Sequence, residues 1–282
     1  MKKIFLPLLL ALTALMFGGC NSTKKQPDII ATTLPVYEFA SRLCDGTGLT
    51  VERLISDNVS CLHDYSLTVS QMEKIESAKV VVLNGGGLED FMEDVLHSAS
   101  STILASTDFE HHHNHDHGTD AHIWLSPKSA QTMAQNICDG LCQKYPEHSA
   151  VFQSNLAALL AELTQLQHYG EEKLASLSCR ELITFHDGFC SFAESFELTI
   201  LRAVEEESGS EASAKDLIEL IELVKTNHIP AIFIEKNGAD GAAKIIAAET
   251  GANIFVLDMA ISGDSYFDSM KHNIDTIWEA FQ

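Results

Sequence analysis

Short aliphatic runs alternate with amphipathic stretches from about residue 28 to the end of the chain, and this constrains the fold more than any other feature of the sequence. Runs of four to six β-branched or aliphatic residues at 29–34, 50–55, 80–84 and 102–106 are each followed by a helical pattern, at 36–43, 69–77, 88–98 and 127–144. The scheme repeats with strands at 182–185, 199–204, 231–235 and 254–258, and helices at 189–196, 214–227, 239–250 and 265–281. Such βαβα alternation predicts parallel strands with helices packed on them. The expected fold is α/β, two lobes each with a mostly parallel four-stranded sheet flanked by helices.

Between the halves, residues 147–177 carry no proline and are rich in Ala, Leu, Gln and Glu. Leu156, Leu159, Leu163 and Leu166 recur at three- and four-residue spacing, which predicts one long helix of roughly 40 Å. Periodicity alone leaves open whether it joins the lobes or belongs to one of them. The boundaries read from the sequence are 1–19, 20–27, 28–146, 147–177 and 178–282.

Lys2 and Lys3 precede an apolar run ending in Gly18 and Gly19 before Cys20, the pattern of a secretory signal peptide. It is shorter than the roughly 20 apolar residues a spanning helix needs. Small residues leading into a cysteine, then a polar run to Lys25, resemble a bacterial lipobox, although Phe17 stands where an aliphatic residue is usual. Cys20 is therefore the expected lipidation site, residues 20–27 the tether, and the location extracytoplasmic, anchored to the membrane by lipid only. Loss of residues 1–19 would take the formal charge from −22 to −24. A field of that sign repels nucleic acid and gathers cations. Six further cysteines, Cys44, Cys61, Cys138, Cys142, Cys179 and Cys190, permit disulfides outside the cytoplasm but leave their pairing open.

The segment 111–117 holds His111, His112, His113, His115 and His117 together with Asp116. Such a run binds transition metals but has no fixed geometry, so it reads as a collecting loop or simply as a solvated polar one. Four other positions lie at or after expected strand ends, where open α/β sheets place ligands: His63, His122, His186 and Asp258. Two come from each half. Three imidazole nitrogens and one carboxylate oxygen make a four-coordinate set suited to Zn²⁺. Asp64, Asp120 and Asp187 adjoin the three histidines and are candidates to orient them, or simply to cap and solvate.

Five segments, CLHDYSLTVSQMEKIESAKVVVLNGGGLEDF, DAHIWLSP, TFHDGFCSF, IPAIFIE and LDMAISGDSYFDSMKHNID, together resemble the solute-binding lipoproteins of bacterial zinc and manganese ABC importers, the ZnuA/TroA-like cluster A-I family. The resemblance spans essentially the whole chain after the leader. It implies two lobes joined by one rigid helix, a metal held between them by His63, His122, His186 and Asp258, and delivery to a membrane permease with its cytoplasmic ATPase. Histidine rather than glutamate at 186 favours Zn²⁺ over Mn²⁺ within such a family, and the histidine-rich stretch before DAHIWLSP looks like the loop of zinc-specific members. Ala121 in place of proline, and Leu67–Val69 without prolines, depart from the family pattern and bear on backbone stiffness. Cys61 and Cys190 are candidate disulfide partners or softer ligands, with ordinary burial the simpler account.

Two competing readings remain. A zinc hydrolase would need an open coordination position and a base; the chain has no HExxH, GxSxG or phosphate loop, and the acids Glu235 and Glu205, Glu206 and Glu207 read as a solvated face. A metal buffer or adhesin would rely on the histidine loop alone. The converging ligands of two lobes favour a non-enzymatic, monomeric receptor.

Overall fold

The computed structural model describes residues 26–56, 59, 62, 65–107, 121–205 and 213–282. The leader, Cys20, Cys61, His63, Asp64, the histidine-rich run 111–117, Asp120, Glu206 and Glu207 lie outside the described residues.

The first half folds as β1 (Ile29–Ala31), α1 (Leu34–Cys44), β2 (Val51–Arg53), α2 (Val69–Ser77), β3 (Val80–Leu83), α3 (Glu93–Ser98), β4 (Thr102–Ala105) and α4 (Pro127–Lys144). The long helix α5 (Ser149–Lys173) follows. The second half contains β5 (Glu181–His186), α6 (Cys190–Ser195), β6 (Thr199–Glu205), α7 (Ala214–Thr226), β7 (Ala231–Glu235), α8 (Gly241–Thr250), β8 (Asn253–Leu257) and α9 (Tyr266–Phe281). Each half holds one parallel four-stranded sheet, ordered β2-β1-β3-β4 and β6-β5-β7-β8. In both, the order reverses beside the central strand, and it is outside the strands' C-terminal ends at such a reversal that open α/β sheets bind their ligands.

The expected elements are present with shifted ends: α1, β5 and β6 run a residue or two longer at one or both ends, while β1, β2 and α3 are shorter. The first strand stops at Ala31 because Thr33 to Pro35 turn the chain into α1, with proline in the first helical turn. The helix expected over 88–98 begins only at Glu93, since the preceding loop is wrapped around a carboxylate. Glu89 accepts bonds from Thr32 Oγ1 (2.6 Å), the Asn84 amide (2.8 Å) and the Gly85 amide (3.0 Å). Burial raises its pKa despite those bonds.

Helix α5 spans 25 residues, about 37 Å, against the expected 147–177. It starts late because Pro146–His148 form a separate 3-10 turn. It ends early because Arg180 gathers carbonyls from the helix exit and the loop beyond α6: Leu174 at 2.8 Å, Ala175 at 3.3 Å and Phe196 at 3.1 Å. Its stripe Phe152, Leu156, Leu159, Leu163 and Leu166 is buried. The helix packs on α1 and α4 of the first half and α9 of the second, so one hydrophobic core runs through both halves. A second, smaller core lies on the far face of the second sheet, under α7 and α8. Period-two alternation divides them. In β5, Leu182 faces the main core while Ile183 and Phe185 face the smaller one, and in β7 Phe233 and Ile232 divide the same way. No disulfide joins the described cysteines Cys44, Cys138, Cys142, Cys179 and Cys190.

Gly170 of α5 has no room for a side chain: an added Cβ would lie 2.2 Å from Cε1 of Phe196, a buried ring stacked edge-on to Phe192. We expect Gly170→Ala to lower stability by about 1 kcal/mol in urea unfolding, overpacking outweighing the gain in helix propensity. Gly140→Ala, whose Cβ would stand 2.7 and 2.9 Å from the methyls and 3.2 Å from Cγ of Leu104, should cost less than Gly170→Ala, since a leucine side chain can turn where the packed Phe196 ring cannot. Asp28 gives a pH signature. Burial alone would raise its carboxyl, but bonds from Lys79, the Thr50 amide and the Thr50 hydroxyl outweigh this and hold it below the ordinary 3.8. Its contribution is present above the unfolded-state value and lost as pH falls through the lower folded one. Asp28→Asn should therefore cost about 1–3 kcal/mol at neutral pH. The gap to the parent should close as pH falls through and below the ordinary 3.8 in pH-resolved denaturation.

Candidate metal centre

His186 is the last residue of β5 and, by alternation, shares the Leu182 side, facing the first half. His122 opens the turn IWL, in which Trp124 and Leu125 are fully buried, and Ser126 then caps α4 by accepting the Ser129 amide at 3.2 Å. The segment bearing His122 is fixed from the other half. Trp124 Nε1 donates to the Met259 carbonyl at 2.7 Å, and the Tyr266 hydroxyl donates to the Trp124 carbonyl at 2.7 Å.

These anchors bring two histidines 64 residues apart into contact. Their rings lie 5.1 Å apart at 88°, with the Nε2 atoms 3.4 Å from each other. That is long for a hydrogen bond from an N–H donor. It equals the edge of a tetrahedron drawn around an ion with bonds of about 2.0–2.1 Å, roughly 3.3–3.4 Å. Both side chains are nearly excluded from solvent, so neither is a chance surface pair. Gly188 packs against His186: a Cβ there would stand 2.7 Å from its Cδ2 and 2.6 Å from the Met259 methyl.

Asp258 follows directly on β8 and is buried. Asn273 of α9 brackets its main chain, accepting from the Asp258 amide and donating to the Asp258 carbonyl, both at 2.7 Å. Oδ1 accepts the Ala260 amide at 2.9 Å. Oδ2 accepts Lys236 Nζ at 2.9 Å and the Ser269 hydroxyl at 3.3 Å. The structure thus brings His122 and His186 together and gives Asp258 an ammonium partner. Among the described residues no three His, Cys, Asp or Glu side chains gather as a metal-holding group. The chain either side of the undescribed His63 is anchored: Leu62 is buried, the Tyr65 amide donates to its carbonyl at 3.0 Å, and the Tyr65 hydroxyl accepts from Gln71.

One sequence reading changes, and an open one narrows. Glu235 does not belong to a solvated face; it is 6 % exposed at the end of β7, on the side of the sheet that Phe233 and His186 share. The alternation within AIFIE carried that signal. Asp187 is exposed and accepts from Cys190 Sγ at 3.6 Å, so it also serves the turn into α6.

A family model described as ZnuA, zinc-uptake complex component A, periplasmic, matches residues 29–280. The chain belongs to this family. It is a family of extracytoplasmic, non-enzymatic metal-binding proteins that work with ABC transporter permeases. A putative metal-binding protein of Treponema pallidum (strain Nichols) is 30% identical over 280 residues, covering 92% of this chain and 88% of its own length. The zinc-binding lipoprotein AdcA of Streptococcus pneumoniae (strain ATCC BAA-255 / R6) is 30% identical over 307 residues and covers 98% of this chain, which spans 60% of AdcA. The crystal structure of a ZnuA superposes with a TM-score of 0.80 at 27% identity, over 91% of this chain and 100% of that one. The paired parallel sheets and long helix are thus the ZnuA fold.

Gly188→Ala should push the His186 ring away from His122. Histidine side-chain NMR is expected to show both imidazoles shifted, with the fold retained by circular dichroism.

Proposed function

We propose that this chain is the zinc receptor of an ABC importer, binding one Zn²⁺ between its halves through His63, His122, His186 and Asp258. The observation that carries this reading is the 3.4 Å separation of two buried Nε2 atoms from opposite halves, the spacing of two ligands on one tetrahedral ion. Histidine at 186, where a hard carboxylate would suit Mn²⁺ better, supports zinc. The name of the AdcA relative, a zinc-binding lipoprotein, agrees with it.

In this reading Cys20 anchors the mature chain by lipid, and residues 111–117 act as an auxiliary loop that raises the local zinc concentration. The loaded protein passes its ion to a permease. The halves meet at boundaries near 28–146 and 178–282 with the helix of 147–177 between them, and the protein acts as a monomer. Neutral imidazoles and an ionised carboxylate are needed, so binding releases protons and weakens in acid.

The test is a competition titration of the mature chain lacking residues 111–117 against a chelator, with Zn²⁺ and with Mn²⁺. One tight zinc site with much weaker manganese binding is expected, and His63→Ala, His122→Ala or His186→Ala should each weaken it by about a hundredfold or more. Loss of all tight binding with the loop would instead favour a buffer whose metal sits on His111, His112, His113, His115 and His117.

A further inference from the structure

Strands β7 and β8 run parallel and in register, with Glu235 beside Leu257, and both end there. The next residue of each, Lys236 and Asp258, therefore stand side by side at the rim of the sheet. The Lys236 amide donates to the Leu257 carbonyl at 2.8 Å, which fixes its Cα, and its ammonium reaches Asp258 Oδ2 at 2.9 Å. The two carboxylate oxygens differ in how firmly they are committed. Oδ1 accepts the amide of Ala260, a residue held at φ 52°, so freeing it would mean undoing a turn. Oδ2 is held by groups that can rotate away: a serine hydroxyl and a lysine side chain that is 54% exposed, against 11% for Asp258 itself.

We infer that Lys236 is a resident counter-cation for Asp258, an affinity-setting residue that the metal ion must displace when it is captured and that takes the carboxylate back when the ion leaves. The inference rests on Asp258 being a ligand, as proposed above. Empty, the pair keeps a buried carboxylate neutralised and pointed by the Ala260 turn, so the ligand is preformed rather than recruited. Loaded, the ammonium turns to solvent, as a dication and an ammonium on one oxygen repel. Because the lysine is half exposed, the competition is a modest one, set by a screened pair and not by a buried one.

Zinc affinity against a chelator, and zinc release into excess chelator by stopped flow, are to be measured on the mature chain and on Lys236→Met and Lys236→Arg, each alone and in an Asp258→Asn background. Lys236→Met keeps the aliphatic stem and loses the charge. It should bind zinc about two- to fivefold tighter and release it correspondingly more slowly, while Lys236→Arg stays near the parent. The gain should shrink between about 0.01 M and about 1 M salt. It should vanish in the Asp258→Asn background. Unchanged or weaker binding by Lys236→Met, or a gain that persists without the Asp258 charge, would overturn the role given to Lys236. Parental affinity in Asp258→Asn alone would remove Asp258 from the ligand set and Lys236 with it, leaving the histidine variants to judge the receptor separately.

Discussion

The stretch from Met259 to Tyr266 belongs to the second half by sequence but is bonded to the first. The Ile261 carbonyl accepts the Leu34 amide at 3.1 Å, the Gly263 carbonyl accepts Arg53 at 2.6 Å, and Glu38 accepts the Tyr266 amide at 2.7 Å, satisfying a donor at the start of α9. With Trp124 on the Met259 carbonyl, these bonds set how far β5 lies from the turn that carries His122. The separation of the two imidazoles depends on that attachment together with the direct tie of Ser195 Oγ to Ser126 Oγ at 2.7 Å and the packing of Gly188 against His186.

The main core makes the attachment stiff. Phe39, Trp124 and Tyr266 are fully buried where the halves meet, Phe39 and Tyr266 ring to ring at 5.1 Å. Prying the halves apart would expose such side chains at roughly 1.5–3 kcal/mol each. Arg42 adds a polar tie, bonded to Glu38 of its own helix and to Glu162 of α5, and resting on the Phe267 ring. A frame of this kind does not open and close as a clamshell at low cost. In the proposed receptor, motion that admits or frees an ion falls to side chains and loops at the strand ends, among them Lys236.

Electrostatics work on two scales. The whole chain, at −22, draws cations toward its surface without choosing among them. In the proposed receptor the choice falls to the donors: imidazoles, whose intermediate softness suits zinc, and the Asp258 carboxylate, which Lys236 partners here. Glu235 places a second acid in the buried rim, beside the lysine that neutralises the first.

Much of this was legible in the chain itself. Alternating aliphatic runs and amphipathic stretches determined two parallel sheets, because period two and period 3.6 differ over even a few residues. The same runs placed His186 and Asp258 at strand ends, and the segment motifs placed the family. The alternation within AIFIE likewise carried the inward side of Glu235. Local pattern was silent where distant groups decide: α5 stops at Lys173 because Arg180 takes the carbonyls of Leu174 and Ala175 just beyond it. The resemblance already named His122 and His186 as ligands of one ion; their actual separation, and the pairing of Asp258 with Lys236, belong to the tertiary structure. The first pair is joined through Trp124, Met259 and Tyr266, the second through the parallel register of two strands. Sequence determined which donors the chain carries and on which elements; packing between the halves decided which of them meet, since ring separations of a few ångströms are set by contacts more than sixty residues apart.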